Sequence, residues 1–131
     1  MLVDSNIFLE FLLKQKNADK CKILLNNTAI GEVKAVVSDF TIDSIALVMG
    51  RNKLSIKEIY SFVKKLVNSE GIRIYFVNIK DRFAALALME KYNLDYEDAI
   101  VLQSALSAGC KEIVSFDRDF DNIKEIKRVE P

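Results

Sequence analysis

The chain has no histidine, no tryptophan, one proline, four glycines and two cysteines among its 131 residues. Each scarcity excludes something. Without an imidazole there is no Ser-His-Asp or Cys-His nucleophilic system, no His-ligated zinc and no His-based acid/base ribonuclease chemistry. Cys21 and Cys110 lie far apart in apolar helical patterns, so neither a CxxC redox motif nor a four-cysteine zinc site exists, and both read as buried thiols of a reducing compartment. The only proline is Pro131, and the glycines are isolated at 31, 50, 71 and 109. That leaves no linker, no low-complexity segment and no Gly-rich phosphate loop. Neither sign of charge is in excess, with Lys+Arg 19 against Asp+Glu 19, which removes the basic footprint of a non-specific nucleic-acid binder. Uncharged stretches fall short of the ~20 residues of a membrane span. Asp4 interrupts the opening Met1-Leu2-Val3 before any signal-peptide pattern develops. A cytoplasmic protein with no membrane segment is expected.

What remains is a globular composition, 50% apolar and 29% charged, at a length that suits one domain over residues 1–131. Apolar, β-branched runs at residues 34–38, 72–77 and 112–116 read as buried strands, with 1–3 a fourth and 126–129 a possible fifth. Helical spacing intervenes six times. Ile7, Phe8, Phe11 and Leu12 mark one face, Cys21, Leu24 and Leu25 a second, and Ile42, Ile45, Ala46 and Met49 a third. The fourth helix opens on a Ser55-x-x-Glu58 capping box, the fifth spans about 81–92, and the sixth runs from about 96 to 108 behind Asp95 as N-cap. Strands alternating with helices predict a three-layer α/β/α domain. Its central sheet would be mostly parallel, with four to five strands covered by helices.

In such a sheet the ligand site lies beyond the carboxyl ends of the strands. Acids follow three of these ends: Asp4 after the first strand, Asp39 and Asp43 after the second, Asp117 and Asp119 after residues 112–116. Asp95, Glu97 and Asp98 open the sixth helix. Carboxylates so gathered repel one another unless a cation compensates, and oxygen-only donors suit Mg²⁺ or Mn²⁺. A cation there can activate water for attack at phosphorus with no histidine. Each acid taken singly also has a plainer role: Asp4 and Asp95 as helix caps, Glu97 and Asp98 as first-turn acids, Asp119 and Asp121 as turn formers, Asp39 as a loop acid. Asp98 is the hardest to dismiss, because Ala99 and Ile100 follow it on a helix that must face the sheet.

Three segments resemble the PIN-domain ribonucleases: Val3-Asp4-Ser5-Asn6-Ile7-Phe8, Tyr96-Glu97-Asp98-Ala99-Ile100 with its continuation to Gly109, and Ser115-Phe116-Asp117-Arg118-Asp119-Phe120. The resemblance runs through essentially the whole chain. It implies a PIN-like fold and a Mg²⁺- or Mn²⁺-dependent endoribonuclease of the VapC-type toxin kind. Asp4, Asp98 and Asp117 would be catalytic metal ligands, Asp119 an accessory acid, and Asn6 and Ser115 groups that orient carboxylates or water. The family's remaining acid is usually a Glu in the third helix, and here Asp43 stands in for it. By the same resemblance the partners are an RNA substrate, a second copy in a homodimer and a small antitoxin protein. A catalytically weak PIN-fold scaffold in an RNA-related complex is the alternative, and a phosphatase acting on small phosphoesters a third reading. Arg51 and Lys53, just after the Asp43 helix, are the candidates for RNA phosphate contact. Lys64 and Lys65 read as a solvated face, and Arg118 as an ion-pair partner of its neighbouring acids.

Overall fold

In the computed structural model, which describes residues 1–131, the elements follow in the order β1 (Leu2–Val3), α1 (Ser5–Leu12), α2 (Ala18–Ala29), β2 (Ala35–Ser38), α3 (Asp39–Arg51), α4 (Ile56–Val67), β3 (Ile72–Tyr75), α5 (Ile79–Tyr92), α6 (Tyr96–Ser107), β4 (Glu112–Val114) and β5 (Lys127–Val129), with a short 3-10 helix at Arg118–Asn122. The five strands form one sheet in the order β3-β2-β1-β4-β5, and every pairing is parallel. Leu2 pairs with Val36 on one side and Ile113 on the other.

Side-chain alternation along these short strands divides the interior in two. Leu2, Val36 and Ile113 point into a core closed by Ala99, Ile100, Leu102 and Phe120, on the side of α5 and α6. Val3, Val37 and Val114 point the other way, against Ile7, Phe8, Cys21, Ile45, Met49, Phe62 and Leu66 of the first four helices. Both strand faces are therefore apolar, as helix coverage of a parallel sheet requires. The three-layer α/β/α architecture follows, with five parallel strands between two helical layers. No helix is long and apolar enough to cross a membrane.

Several boundaries differ from the sequence expectation by one or two residues, as where β4 ends at Val114 and not at 116, and two of the differences have a clear cause. β3 stops at Tyr75 and is not a buried strand: it lies at the sheet edge, Arg73 is exposed, and Phe76 beyond it is 73% exposed. Helix α5 starts at Ile79 and not at 81, because Asn78 and Asp81 form a capping box, with Asn78 Oδ1 accepting from Asp81 N at 3.1 Å and Asp81 Oδ2 from Asn78 N at 3.0 Å. Cys21, Phe62 and Leu66 are core residues, and both cysteines are buried and free.

Backbone packing at the amino end of the sheet depends on Gly71. A Cβ there would stand 2.2 Å from Val33 O and 2.5 Å from Thr28 O. That closeness lets Gly71 N donate to Thr28 O at 2.8 Å while its carbonyl accepts from Ala35 N, so the same residue joins the end of α2 to β2.

Candidate metal centre

From β1 the chain moves outwards to β2 and β3, then returns across the sheet to β4 and β5, so the order reverses between β1 and β4. The carboxyl ends of those two adjacent strands form the crevice at the switch point. Asp4 and Asp117 come from their two ends.

Asp4 is 4% exposed and serves as N-cap of α1, its Oδ1 accepting from Ser5 N at 2.6 Å. Its Oδ2 accepts from Asn6 Nδ2 at 2.8 Å and from Ser115 Oγ at 2.7 Å. The Ser115 hydroxyl also accepts from Asn6 Nδ2 at 2.8 Å and from Asp117 N at 2.9 Å. Asn6 Oδ1 takes Phe116 N at 3.3 Å. One buried hydroxyl thus couples the loop after β1 to the loop after β4 and sets where Asp117 begins. Asp117 Oδ1 then caps the 3-10 helix through Asp119 N, at 2.9 Å.

Asp98 enters from the first turn of α6, which is positioned by Asp95: the Asp95 side chain caps the helix and accepts from Asp98 N at 2.9 Å. Asp98 and Asp117 are half-buried and Asp119 is exposed, and one carboxylate oxygen from each lies within 4.8 Å of the others. Asp4 stands just outside that group. Burial, then the charges of Asp95, Asp117, Asp4 and Asp119, push the Asp98 carboxyl up to about 7. Burial also raises Asp4, opposed by the hydrogen bonds from Ser115 and Ser5 and reinforced by the charge of Glu97. The molecule's three ion pairs, Lys91–Glu125, Arg128–Asp121 and Arg128–Glu130, involve none of these acids. Convergent carboxylate oxygens without a basic partner suit a hard divalent cation such as Mg²⁺ or Mn²⁺, and the donor set fits one.

Other expected residues fall elsewhere. Asp43 is exposed on α3 and is not among the charges that act most on Asp98 or Asp4. The next residue, Ser44, is turned about 100° round the helix. It meets α6, where its Oγ donates to Glu97 Oε1 at 2.5 Å. Sequence reasoning missed Ser44 altogether and took Glu97 for an ordinary first-turn acid; adjacency to Asp98 was the one available signal. Arg51 and Lys53 are exposed at and beyond the far end of α3, which starts at the carboxyl edge and runs back along the sheet. The structure does not bring them to the acids. Arg118 is exposed and forms no ion pair with its neighbouring acids; Arg128 pairs with Asp121 and also donates to Ser115 O at 3.0 Å. Asp39 is a tie between strands, with Oδ1 accepting from Phe40 N and Val77 N at 2.8 and 2.9 Å.

A family model described as PIN domain matches residues 1–126. No curated protein sequence matches. Among solved structures, the chain is similar to the Mycobacterium tuberculosis VapC20 toxin, described as cleaving the sarcin-ricin loop, at 15% identity and a TM-score of 0.77, covering 99% of this chain and 98% of that one. It is similar to a chain of a toxin–antitoxin complex from Klebsiella pneumoniae at 18% identity and a TM-score of 0.70, covering 95% and 93%. A third likeness is to FitAcB from Neisseria gonorrhoeae, at 18% identity and a TM-score of 0.66, covering 99% and 96%. At such identities these likenesses speak for the fold.

Proposed function

Because this chain belongs to the PIN domain family, we propose that it is a divalent-metal-dependent endoribonuclease hydrolysing RNA phosphodiester bonds, and the toxin of a VapBC-type toxin–antitoxin pair. The observation that carries the reading is the approach of Asp98, Asp117 and Asp119 oxygens to within 4.8 Å of one another, with Asp4 behind them and no basic partner.

In this reading Asp4, Asp98 and Asp117 would hold Mg²⁺ or Mn²⁺, with Asp119, whose oxygen lies within 4.8 Å of those of Asp98 and Asp117, as the accessory acid. When bound, such a cation lowers the pKa of a water and offsets charge on a phosphoryl oxygen. The chain's own residues prepare for it. Ser115, Asn6 and the Ser5 amide hold Asp4 in one orientation by donating to both its oxygens, which favours its ionised form against burial. Ser115 passes that constraint to Asp117 through the Asp117 amide. Asp95 fixes the first turn of α6, so Asp98 points at the same crevice. The unbalanced negative charge of these acids keeps phosphodiesters away until it is neutralised, which makes substrate approach depend on the cation.

RNA cleavage with Mn²⁺ by the wild type and by Asp98→Asn tests the proposal; equal rates in the two would sink it. The alternative, a catalytically weak PIN-fold scaffold, draws on the exposed position of Asp43. A Mn²⁺ titration of the wild type with no binding at millimolar metal would favour that alternative. A small antitoxin, a homodimer and a cytoplasmic location belong to the same proposal. The antitoxin is supported by the likeness to toxin–antitoxin complexes, and co-expression with a short basic protein encoded next to this chain is expected to suppress cleavage.

A further inference from the structure

Glu97 sits one residue before Asp98 in the first turn of α6, half-buried, and its charge is the one that acts on buried Asp4. One of its oxygens, Oε1, is held across the helix interface by the Ser44 hydroxyl at 2.5 Å. The other oxygen makes no hydrogen bond within the chain and is open to solvent, and no Lys or Arg pairs with the residue. A free glutamate in a first helical turn turns to solvent; this one is braced by the neighbouring helix α3. Resting on the metal-dependent reading above, we infer that Glu97, held by Ser44, is a positioning residue of the metal centre, a further carboxylate on α6 that would act on a bound cation through its water, in place of the acid expected at Asp43 on α3.

Glu97 lies outside the group of oxygens within 4.8 Å, so it acts through water and charge, and small hard cations keep several waters that need such acceptors. Ser44 Oγ lies 2.5 Å from Glu97 Oε1, so a carboxylate carried by residue 44 comes to the same neighbourhood from the other helix. Asp43, a third of a turn away and exposed, does not.

The experiment is a calorimetric titration of the full chain with Mn²⁺ alone, paired with RNA cleavage, for the wild type, Glu97→Gln, Ser44→Ala, Asp43→Asn, Asp98→Asn and the double variant Ser44→Glu/Glu97→Gln. Thermal melts check that each folds. Glu97→Gln is expected to weaken Mn²⁺ binding about tenfold, the scale of outer-shell losses at metal sites. Ser44→Ala is expected to weaken it less, Asp43→Asn to leave it unchanged, and the double variant to recover most of the loss, a rescue that a merely structural role would not show. Wild-type affinity and cleavage in Glu97→Gln, with both lost in Asp98→Asn, would overturn the role of Glu97 and leave the nuclease reading intact. Absence of Mn²⁺ binding and cleavage in the wild type would overturn both.

Discussion

Replacing Ser115 by alanine tests the coupling at the centre of the site without touching an acid. The hydroxyl is fully buried and makes three hydrogen bonds: it donates to Asp4 Oδ2 and accepts from Asn6 Nδ2 and Asp117 N. Alanine removes one charge-assisted bond, of about 1.5–3 kcal/mol, and strands two donors in a place poor in water, where each unmade bond costs about 1–3 kcal/mol. Asn6 keeps its bond to Asp4 and the site relaxes partly, so the expected net loss is about 3 kcal/mol, roughly a 10 °C fall in Tm for a chain of this size. Ser104→Ala is the control. Ser104 is equally buried, but its hydroxyl donates only to Ile100 O within its own helix at 2.7 Å. Alanine's better helix propensity offsets that loss, to within about 1 kcal/mol. The deficit of Ser115→Ala also has a pH signature. Burial raises the folded pKa of Asp4 above 3.8, so the folded state holds a proton that the unfolded state releases, and stability falls as pH rises above that value. The Ser115 bond favours the ionised form and limits the fall, so its removal costs more at about pH 8 than at about pH 4.5. Urea unfolding in EDTA at the two pH values measures both quantities. A loss no larger than that of Ser104→Ala, or one independent of pH, would refute the proposed coupling.

Two further predictions concern charge and packing. Asp98 titrates near 7 in the folded chain against 3.8 in the unfolded one, so its contribution to metal-free stability declines as pH rises from 3.8 to about 7 and stays low beyond. Asp98→Asn should flatten that decline and melt above the wild type at neutral pH in EDTA, while the rise in wild-type Tm on adding Mn²⁺ should grow through the same window; a parallel pH profile in the two proteins would contradict the electrostatic account. Gly71→Ala should destabilise by several kcal/mol, roughly the upper range for overpacking, because its Cβ meets two backbone oxygens that cannot yield as a side chain would. Gly50→Ala has nothing within 4 Å and replaces a helical glycine, so it should stabilise by about 0.5–1 kcal/mol in the same denaturation assay.

Much of the fold was legible because period and chemistry agreed. The three central strands alternate between two apolar cores, so Leu2, Val36 and Ile113 and their neighbours Val3, Val37 and Val114 all read as apolar, the pattern of a parallel sheet covered twice. The same run of apolar residues misled at 72–77. An edge strand keeps its β-branched and aromatic residues without being covered on both sides, and composition does not distinguish edge from centre. The start of α5 was missed for a different reason: Asn78 and Asp81 make a reciprocal cap, but an Asn-x-x-Asp pair resembles turn chemistry until the helix behind it is known.

The site was legible where the backbone alone fixes a side chain, and not where helix rotation does. A residue that directly follows a strand end has its position set by the sheet, which is why Asp4 and Asp117 converge on the β1/β4 crevice as sheet topology alone suggests. Within a helix each residue turns about 100° from the last, and sequence spacing says which residues share a face but not which face meets the crevice. Asp43 and Ser44 differ by one such step; the acid was chosen for its charge, and the structure turns it outwards and the serine in. Arg51 and Lys53 lie further along the helix axis: seven residues separate Ser44 from Arg51, about 10 Å of rise away from the carboxyl edge. The neutral charge of the chain conceals the outcome. Its acids include a group at one crevice with no ion-pair partner, while Arg128 spends its pairing on Asp121 and Glu130, and that imbalance in space is what a divalent cation would correct.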